Sequence, residues 1–579
     1  MARIPSNQEI AEIFYTIADF LEMDEIPFKP RAYQRVAATI ESLGQSLADI
    51  YNEGGIKALN SVPGVGVSIA EKIEELLKTG KLAYYEKLKK KMPVDVEALT
   101  AVEGVGPKTI KLLWKKLKVR TVADLEQAAR AGKIRTLPRH GARAEQKILR
   151  SIEFQKRSRG RFMLGAVDPV ARRLTDAIRK VPGVEEVVIA GSYRRRQETV
   201  GDIDILAIAK NSGRTLDVFC KHPDVLEVTG RGPTKANVRL SAGIEADLRV
   251  LPPASFGAAL QYFTGDKTHN IEIRKIAIKK GWKLSEYGLF KGEKHIAGKT
   301  EQEIYQKLGL DWIPPELRSA AGEIEAAAKH ALPQLIPYGS LKGDLQVQTN
   351  WTDGAASIAA MAEAAAKNGL SYIAITDHTR QLAMTGGLTE KDLEKQGKEI
   401  EALNSKYKIL HRKFRILKSA EVNILKDGML DIADAALKKL DLVCVAVHSH
   451  FNLSESEMTN RIIRALKHPL VNVLFHPTGR LIGRREPYPV DILKILRAAK
   501  EYGVAVEING SMERLDLRDS HIREAVKLGV KLVVDSDAHA PHHYSWLELG
   551  VAQARRGWAT EKDILNTLPC EAFLKALKR

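Results

Sequence analysis

The chain has 579 residues, of which 44% are hydrophobic and 28% charged. At roughly 100 to 200 residues per domain this length predicts three to five domains, and the composition excludes wholesale disorder. Met1 to Glu9 has no apolar stretch behind a basic start, and no long apolar run follows, so neither a signal peptide nor a membrane span is expected. The sparse cysteines exclude a disulfide framework or a cysteine zinc site, and a reducing cytoplasm fits best. They are Cys220, Cys444 and Cys570.

Charge is unevenly distributed along the chain. Residues 101–200 hold 24 Lys and Arg against 10 Asp and Glu, and so carry +14 of the net charge of +18. Next to glycine-rich turns this surplus indicates a phosphate backbone as partner, with a solvated basic helix face as the alternative. Ten of the fifteen histidines lie at or after His378, so potential metal ligands cluster late.

Residues 1 to about 150 have the pattern of short amphipathic helices separated by Gly and Pro. Predicted examples are Ser6–Glu22, Tyr33–Leu47 and Leu99–Leu117. Within this part Val62–Ala70 and Val102–Ile110 repeat one pattern: apolar, any residue, Gly, apolar, Gly, two residues, then a helix. Such a turn directs backbone N–H groups outward at a helix start, where they bind phosphate.

One such turn alone would be explained as a plain helix connection, but two copies resemble helix-hairpin-helix DNA-binding motifs. A third copy is suggested at Leu137–Gly141, where Arg139 replaces the first glycine. The residues expected to contact DNA are Gly64, Gly66, Gly104, Gly106 and Lys108.

From Val181 onward β-rich runs alternate with helices, which predicts a mixed sheet. Residues two apart on a strand face the same side, so Asp202 and Asp204 present two carboxylates together. A further strand, Glu245–Val250, can bring Asp247 beside them, and three oxygen ligands suit Mg²⁺ with substrate phosphates. The alternative is a surface hairpin with solvated aspartates.

A turn at Gly191–Ser192 precedes the aspartates. It offers backbone and hydroxyl donors for a triphosphate, with Arg195 within reach as a charge clamp. This arrangement resembles the nucleotidyltransferase superfamily, and the later Tyr262-Phe263-Thr264-Gly265 narrows the resemblance to family X DNA polymerases.

The resemblance implies that Asp202, Asp204 and Asp247 are catalytic and bind Mg²⁺. Asn270 and Arg274 stand where the family contacts the incoming nucleotide and the template minor groove, and Asp266 replaces the usual Ser. The nucleotide-binding residues it implies are Gly191, Ser192, Arg195, Tyr262, Phe263, Gly265, Asn270 and Arg274.

The N-terminal part resembles the family's lyase-like domain, with Lys29, Tyr33 and Lys72 in the expected places. Lys72 matches the family's Schiff-base lysine, but the second expected lysine is Ser68. A phosphate-binding role for Lys72 is the alternative.

From about Asp344 onward helix and strand alternate repeatedly, which predicts a parallel α/β barrel with functional residues at strand C-terminal ends. Histidines placed alike after successive apolar runs indicate metal ligands, and His with carboxylate favours Zn²⁺, Mn²⁺ or Fe²⁺. A lone histidine would instead be a satisfied core or surface residue. The candidate ligands are Asp353, His378, Glu421, His448, His476, Asp537 and His539.

This pattern resembles the PHP (polymerase and histidinol phosphatase) domain, which implies three metals and 3′–5′ exonuclease or related phosphoesterase chemistry. By resemblance, Asp353, His378 and His539 hold one metal, and Glu421, His448 and His476 another. The third would join Glu421 and Asp537 to two histidines, but Gln346 and Gln348 stand there. Two metals held well, one weak or absent, and an impaired nuclease are therefore expected.

The predicted architecture is multidomain: a helix-hairpin-helix N-terminal region, an α+β palm and thumb, and a distorted C-terminal α/β (PHP) barrel. We expect a template-directed, short-gap repair polymerase that uses Mg²⁺ in the palm and Mn²⁺ or Zn²⁺ in the PHP domain, with DNA and deoxynucleoside triphosphates as partners and a monomeric state. A template-independent nucleotidyltransferase and a DNA-binding scaffold with decayed sites are the alternatives. The predicted limits are 1–85 (lyase-like), 86–150 (fingers-like), 151–255 (palm), 256–318 (thumb), 319–340 (linker) and 341–579 (PHP).

Overall fold

The computed structural model describes residues 5, 7–43, 46–62, 64–100, 102, 104–138, 140–158, 160–381, 386–410 and 413–577. None of the described helices is long and apolar enough to cross a bilayer. Three positions of the predicted hairpin repeats, Pro63, Glu103 and Arg139, lie outside the described residues.

The N-terminal part is helical. Its first five helices are α1 (Asn7–Met23), α2 (Lys29–Ser42), α3 (Leu47–Asn60), α4 (Val67–Thr79) and α5 (Ala83–Lys91). Ile10, Phe14 and Ile17 recur at helical spacing on α1 and are fully buried. The predicted helix Tyr33–Leu47 was wrong in its end: α2 stops at Ser42, and Ser46 caps α3 by accepting from Asp49 N at 3.0 Å.

Four more helices form a second hydrophobic cluster. They are α6 (Val96–Thr100), α7 (Pro107–Leu117), α8 (Val122–Arg130) and α9 (Ala142–Ser158). The single helix predicted over Leu99–Leu117 was wrong, because the chain turns at Gly104, whose φ of 88° is left-handed. The two glycine-rich repeats thus precede α4 and α7 in the same way.

The central part contains a five-stranded mixed sheet in the order β2-β4-β7-β6-β5, in which only β4 and β7 are parallel neighbours. Ile203 and Ile205 on β4 point into its core, which α10 covers. Its elements are β1 (Phe162–Met163), α10 (Leu164–Arg179), β2 (Val184–Ile189), α11 (Gly191–Arg194), β3 (Thr199–Val200), β4 (Asp202–Ala209), α12 (Ser212–Cys220), β5 (Val225–Arg231), β6 (Lys235–Leu240) and β7 (Glu245–Val250).

A smaller unit follows, built around its own cluster, which includes Ile273, Leu289 and Tyr305. Its elements are α13 (Phe256–Thr264), α14 (Lys267–Lys279), β8 (Lys283–Ser285), β9 (Gly288–Lys291), β10 (Lys294–Ala297) and α15 (Glu301–Leu308). In the predicted linker, α16 (Glu323–Ala328) packs back onto this unit, since Glu323 Oε1 lies 2.7 Å from His269 Nδ1.

The C-terminal part has two parallel sheets, β11-β12-β13 and β14-β15-β16-β17-β18. Single bridges join them, from His378 to Glu421 and from Val347 to Ala538. The alternating α/β pattern is confirmed, while closure into a complete barrel stays a prediction. The strands are β11 (Gly343–Val347), β12 (Tyr372–Ile375), β13 (Arg415–Lys418), β14 (Glu421–Asn423), β15 (Cys444–Ala446), β16 (Val473–Leu474), β17 (Ala505–Asn509) and β18 (Leu532–Asp535).

Helices cover the outside of these strands. They are α17 (Ile358–Lys367), α18 (Glu390–Ile409), α19 (Asp434–Leu437), α20 (Glu455–Leu466), α21 (Ile492–Glu501), α22 (Asp519–Leu528) and α23 (Leu547–Arg556). The last helix, α24 (Cys570–Ala576), packs through Phe573 against the other face of the strands, in a cluster with Tyr372 and Cys444. Both faces of each strand are therefore buried, as in parallel sheets generally.

Candidate functional site

Three carboxylates meet at one end of the central sheet. β4 and β7 run parallel in a register that pairs Asp204 with Asp247, and Asp202 lies two residues back on the same face. Asn237 donates a hydrogen bond to Asp247 Oδ1, and Lys235 Nζ lies 3.5 Å from Asp247 Oδ2. The predicted juxtaposition of the three aspartates is thus present in the fold.

The carboxylates destabilise one another's charged forms. Burial raises the pKa of Asp204 to about 6, and the charges of Asp202 and Asp247 add to the rise. Burial and then Asp247 also raise the pKa of Asp202. A divalent cation would relieve this repulsion, and an all-oxygen ligand set fits Mg²⁺.

The turn ahead of β4 approaches these carboxylates. Gly191 has a left-handed φ of 62°, and a Cβ built there would stand 2.7 Å from Asp204 Oδ2. Ser192 follows on α11 and is half-buried, as is Arg195. Arg195 Nη1 donates to Thr264 O, so the turn is tied to the Tyr262–Gly265 motif.

The other predicted nucleotide contacts lie on α13 and α14. Tyr262 is partly exposed. The guanidinium carbon of Arg249 lies over the ring of Phe263, 4.7 Å from the ring centre. Asn270 Nδ2 donates to Tyr262 O at 2.7 Å, and Arg274 is exposed one turn further on.

Asp266, at the position where the family usually has Ser, caps α14. Its carboxylate accepts from His269 N at 2.8 Å. Asp266 therefore caps the helix as a short polar residue can, and its carboxylate also places a negative charge near Arg195.

The hairpin glycines are exposed at the starts of α4 and α7. Gly64 and Gly104 have left-handed φ values of 79° and 88°, and Gly66 and Gly106 are the N-caps. A Cβ at Gly66, Gly104 or Gly106 would meet no described atom within 4 Å, so the space before these turns is open. Lys108 is exposed in the first turn of α7. Open N–H groups beside a lysine suit a phosphate.

Lys72 lies on the helix after the first hairpin. Its Nζ donates to Ser68 Oγ at 2.8 Å and to Ser68 O at 2.9 Å. Burial lowers the pKa of Lys72, and the positive charge of Lys29 lowers it further. A depressed amine pKa suits a nucleophile, while the cationic form would suit a phosphate.

At the C-terminal ends of the parallel strands, two groups of side chains could each hold a metal. Asp353, His378 and His539 form the first, with ligand atoms within 4.8 Å of one another; His378, Glu421 and His448 form the second. His476 Nε2 lies 2.8 Å from Glu421 Oε1, beside the second group. Both sets pair imidazole with carboxylate, so their chemistry fits the transition metals named above.

Burial and neighbouring charges act in opposite directions on the pKa values of these side chains. Burial alone would lower the pKa of His378, but Glu421 and Asp353 outweigh it and raise that pKa to about 9. At His448 burial prevails over Glu421 and lowers the pKa to about 4. Burial likewise opposes ionisation of Glu421, yet His378 and His448 hold its pKa well below the ordinary value.

The residues predicted to hold the third metal fit a metal less well than the two groups above, because hydrogen bonds already engage them. Gln348 Nε2 donates to Glu421 Oε2 at 2.8 Å, and Gln346 Oε1 accepts from Asn509 Nδ2 at 2.9 Å. Arg514 Nε donates to Asp537 Oδ2 at 3.2 Å. Donors therefore engage both carboxylates of this set. Within the described part of the chain, Gln348 Oε1 is buried without a hydrogen-bond partner.

Sequence reasoning did not find several charged residues beneath these ligands. Asp344 and Glu507 are fully buried, and burial raises the pKa of Asp344 to about 7 and that of Glu507 well above its ordinary value. Glu507 and Asn509, two apart at the end of the apolar strand β17, carry the same signal as Asp202 and Asp204. Nothing comparable marks Arg514.

The fold and its sites define a nucleotidyltransferase of the polymerase beta type joined to an α/β domain that carries two candidate metal-ligand groups. Family models match the chain as a helix-hairpin-helix domain (5–82), a SAM-like helix-hairpin-helix tandem (96–153), a DNA polymerase beta palm (166–228) and a DNA polymerase beta thumb (259–319). The tandem spans both the second and the suggested third hairpin.

The DNA polymerase/3′-5′ exonuclease PolX of Bacillus subtilis (strain 168) is 36% identical over 580 residues, or 98% of this chain and 99% of that protein. The C-terminal part is 33% identical over 231 residues to a probable phosphatase of Thermoanaerobacter sp. (strain X514), covering 38% of this chain and 87% of that protein. A probable phosphatase of Caldanaerobacter subterraneus is 35% identical over 191 residues, 31% of this chain and 68% of that protein. The chain belongs to the family X DNA polymerases of the PolX type.

Proposed function

We propose that this protein is a template-directed DNA polymerase that fills short gaps during DNA repair. The observation that carries the proposal is the β4–β7 register, which sets Asp204 opposite Asp247 with Asp202 on the same face. Asp202, Asp204 and Asp247 would hold two Mg²⁺, and these ions supply charge stabilisation for attacking and leaving oxygens.

The chain's own residues have separate tasks in this proposal. Asp247 accepts the proton of the primer hydroxyl. Gly191, Ser192 and Arg195 hold the triphosphate, and Asn270 and Arg274 orient the incoming nucleotide and the template. The hairpin residues bind the DNA backbone without sequence specificity, because their backbone N–H groups contact phosphates and not base edges.

The test is Asp204→Ala in the full chain. Nucleotide addition to gapped DNA should be abolished while DNA affinity stays near normal; retained synthesis would contradict the assignment. Extension of a single strand without template by the unmodified protein would favour the template-independent alternative. An unmodified protein that binds gapped DNA tightly but adds no nucleotide would favour the scaffold.

The C-terminal domain is proposed to act as a 3′–5′ exonuclease or phosphoesterase that works weakly. The two ligand groups around His378 favour this second activity. The hydrogen-bonded state of Gln346, Gln348 and Asp537 supports the view that a third metal binds poorly.

The remaining assignments complete the proposal. We propose that the protein uses Mg²⁺ in the palm and Mn²⁺ or Zn²⁺ in the PHP domain, with deoxynucleoside triphosphates as substrates. We also propose a monomeric state, a cytoplasmic location and the six domain limits expected from the sequence. A lyase role for Lys72 is supported by its lowered pKa, and a phosphate-binding role by its position beside the hairpin.

A further inference from the structure

An ion pair joins the C-terminal domain to the palm segment that leads into Asp202. Arg480 donates from Nη2 to Glu198 Oε1 at 2.6 Å and from Nη1 to Glu198 Oε2 at 3.1 Å. Gln553 Nε2 donates to the same Oε1 at 2.8 Å. The side chain of Arg480 is only 3% exposed and that of Glu198 22%, so most of this two-point contact is withdrawn from solvent.

Glu198 lies in residues 195–201, here called the connecting segment, which runs from the end of α11 to the start of β4. Its carbonyl oxygen accepts from Leu164 N at 3.0 Å, and the next residues, β3, pair with β1. Asp202 follows four residues after Glu198. A short, hydrogen-bonded stretch therefore links Glu198 to the first aspartate.

At its other end Arg480 is fixed within the C-terminal domain. It stands four residues after His476. Its Nη2 also donates to Leu515 O, and the intervening Thr478 N and Gly479 N both donate to Asp516 Oδ2 at 2.9 Å. The guanidinium is thus held in place independently of the palm.

The surrounding contact is apolar and close. Leu515 and Leu549 of the C-terminal domain belong to the palm's own hydrophobic cluster. A Cβ built on Gly165 of α10 would stand 2.6 Å from Met512 Cβ, so the two domains approach to backbone distance. The palm core is completed by residues of the C-terminal domain.

We infer that Arg480 is a positioning residue for nucleotide addition: through Glu198 it fixes the connecting segment and so the Asp202 carboxylate. The C-terminal domain therefore supports polymerisation by this contact, whatever its own nuclease activity. The inference rests on the proposed role of Asp202, Asp204 and Asp247. Misplacement of a reacting group by about 1 Å costs on the order of 100-fold in rate, so a modest shift should be measurable.

The experiment compares Arg480→Met, Arg480→Lys and Glu198→Gln in the full chain on gapped DNA. Glu198→Gln keeps the side-chain shape and guards against misfolding of the Arg480 variants. Arg172→Met is the matched control, because it removes an ion pair between the same two domains, in which Arg172 Nη2 lies 3.1 Å from Glu548 Oε1. The side chains of Arg172 and Glu548 are both more exposed than those of Arg480 and Glu198. Active-site titration corrects for inactive protein, and kcat is measured against Mg²⁺ concentration.

Arg480→Met and Glu198→Gln should lower kcat per active site by roughly tenfold or more and raise the Mg²⁺ concentration for half-maximal rate, since Asp202 is displaced. Arg480→Lys should recover part of the loss. The double variant should be no worse than the poorer single one, as expected for coupled residues. Unchanged kcat and Mg²⁺ dependence, or an equal loss in Arg172→Met, would overturn the inference. Failure of the Asp204→Ala test is a separate result that removes the polymerase assignment itself.

Discussion

Gly191 lies so close to Asp204 that a side chain at position 191 would collide with the carboxylate: the built Cβ is 2.7 Å from Asp204 Oδ2. The φ of 62° at Gly191 adds a second reason for glycine there. Close packing of Gly191 against Asp204 thus requires glycine in the turn that would bind the triphosphate, because the strand with the aspartates leaves no room for a side chain.

Gly191→Ala should therefore lower kcat for single-nucleotide insertion by about 10- to 100-fold, because Asp204 must move. The matched control is Gly243→Ala in the palm, because the φ of 84° at Gly243 is also left-handed and a built Cβ would stand at an ordinary contact distance, 3.8 Å, from the ring of Phe162. Single-turnover incorporation on gapped DNA measures both. Equal losses in the two variants would show that the Gly191–Asp204 contact has no special importance.

The raised pKa of Asp204 gives a stability prediction. Its folded-state pKa of about 6 exceeds the ordinary 3.8, so its contribution to stability is present below about pH 4 and is lost as the pH rises through 6. In metal-free buffer at about pH 8, Asp204→Asn should stabilise the palm, by at most about 3 kcal/mol. Thermal unfolding in a chelator at about pH 8 and about pH 4 measures this, and the gain should vanish at the lower pH.

Mg²⁺ provides the control for that experiment. It should raise the melting temperature of the unmodified protein more than that of Asp204→Asn, because only the former has three charged ligands to neutralise. A variant that is no more stable at about pH 8 would contradict the raised pKa of Asp204, which burial and then the neighbouring carboxylates produce.

Local patterns predicted that the three aspartates would lie together, and they did not predict contacts between distant segments. Asp202 and Asp204 share a face because a strand has a period of two, and β7 pairs with β4 in the register that sets Asp247 opposite Asp204. Glu198 and Arg480 are 282 residues apart, and each looks like an ordinary surface charge in sequence. Their pairing depends on how two domains dock, which no local periodicity encodes. The glycine turn at Val102–Ile110 was predicted, but the helix drawn from Leu99 to Leu117 ran across it, and the left-handed Gly104 separates α6 from α7.

The hairpins should bind DNA without sequence preference. Gly104→Val together with Gly106→Val would place side chains in the open space before α7 and strain the turn at Gly104, so backbone contacts are lost. DNA affinity should fall equally on unrelated sequences, and the slope of log affinity against log salt should become shallower. Fluorescence anisotropy over a salt series measures both quantities.

Gly281→Val is the control for backbone strain, because Gly281 also has a left-handed φ, 72°, with no described atom within 4 Å of a built Cβ. It should leave DNA affinity unchanged. A loss confined to some sequences, or an unaltered salt slope in the hairpin variant, would contradict phosphate contact.

Metal binding in the C-terminal domain should release a proton. With a pKa of about 9, His378 is protonated in the metal-free protein at neutral pH, while a metal takes only the neutral ring. Mn²⁺ binding should release close to one proton at about pH 7, and its affinity should rise about tenfold per pH unit towards pH 9. Calorimetry in buffers of different ionisation enthalpy measures the proton. His378→Gln should abolish the release, and His521→Gln, outside the ligand groups, should not.

The last prediction concerns Gln346 and Gln348. Because Gln348 is bonded to Glu421 and Arg514 to Asp537, a metal at that position must displace hydrogen bonds and would gain no imidazole in return. The purified protein should polymerise in Mg²⁺ yet show little 3′–5′ exonuclease unless Mn²⁺ is in excess, since mass action fills a weakened site. Gln346→His combined with Gln348→His should raise nuclease activity and metal stoichiometry in parallel, and His448→Ala should lower both. Exposed His450 belongs to neither ligand group among the described residues. Strong exonuclease from the unmodified protein at low Mn²⁺, destroyed by His448→Ala, would instead show that the glutamine oxygens, or a shell rearranged to include His450, already complete the site.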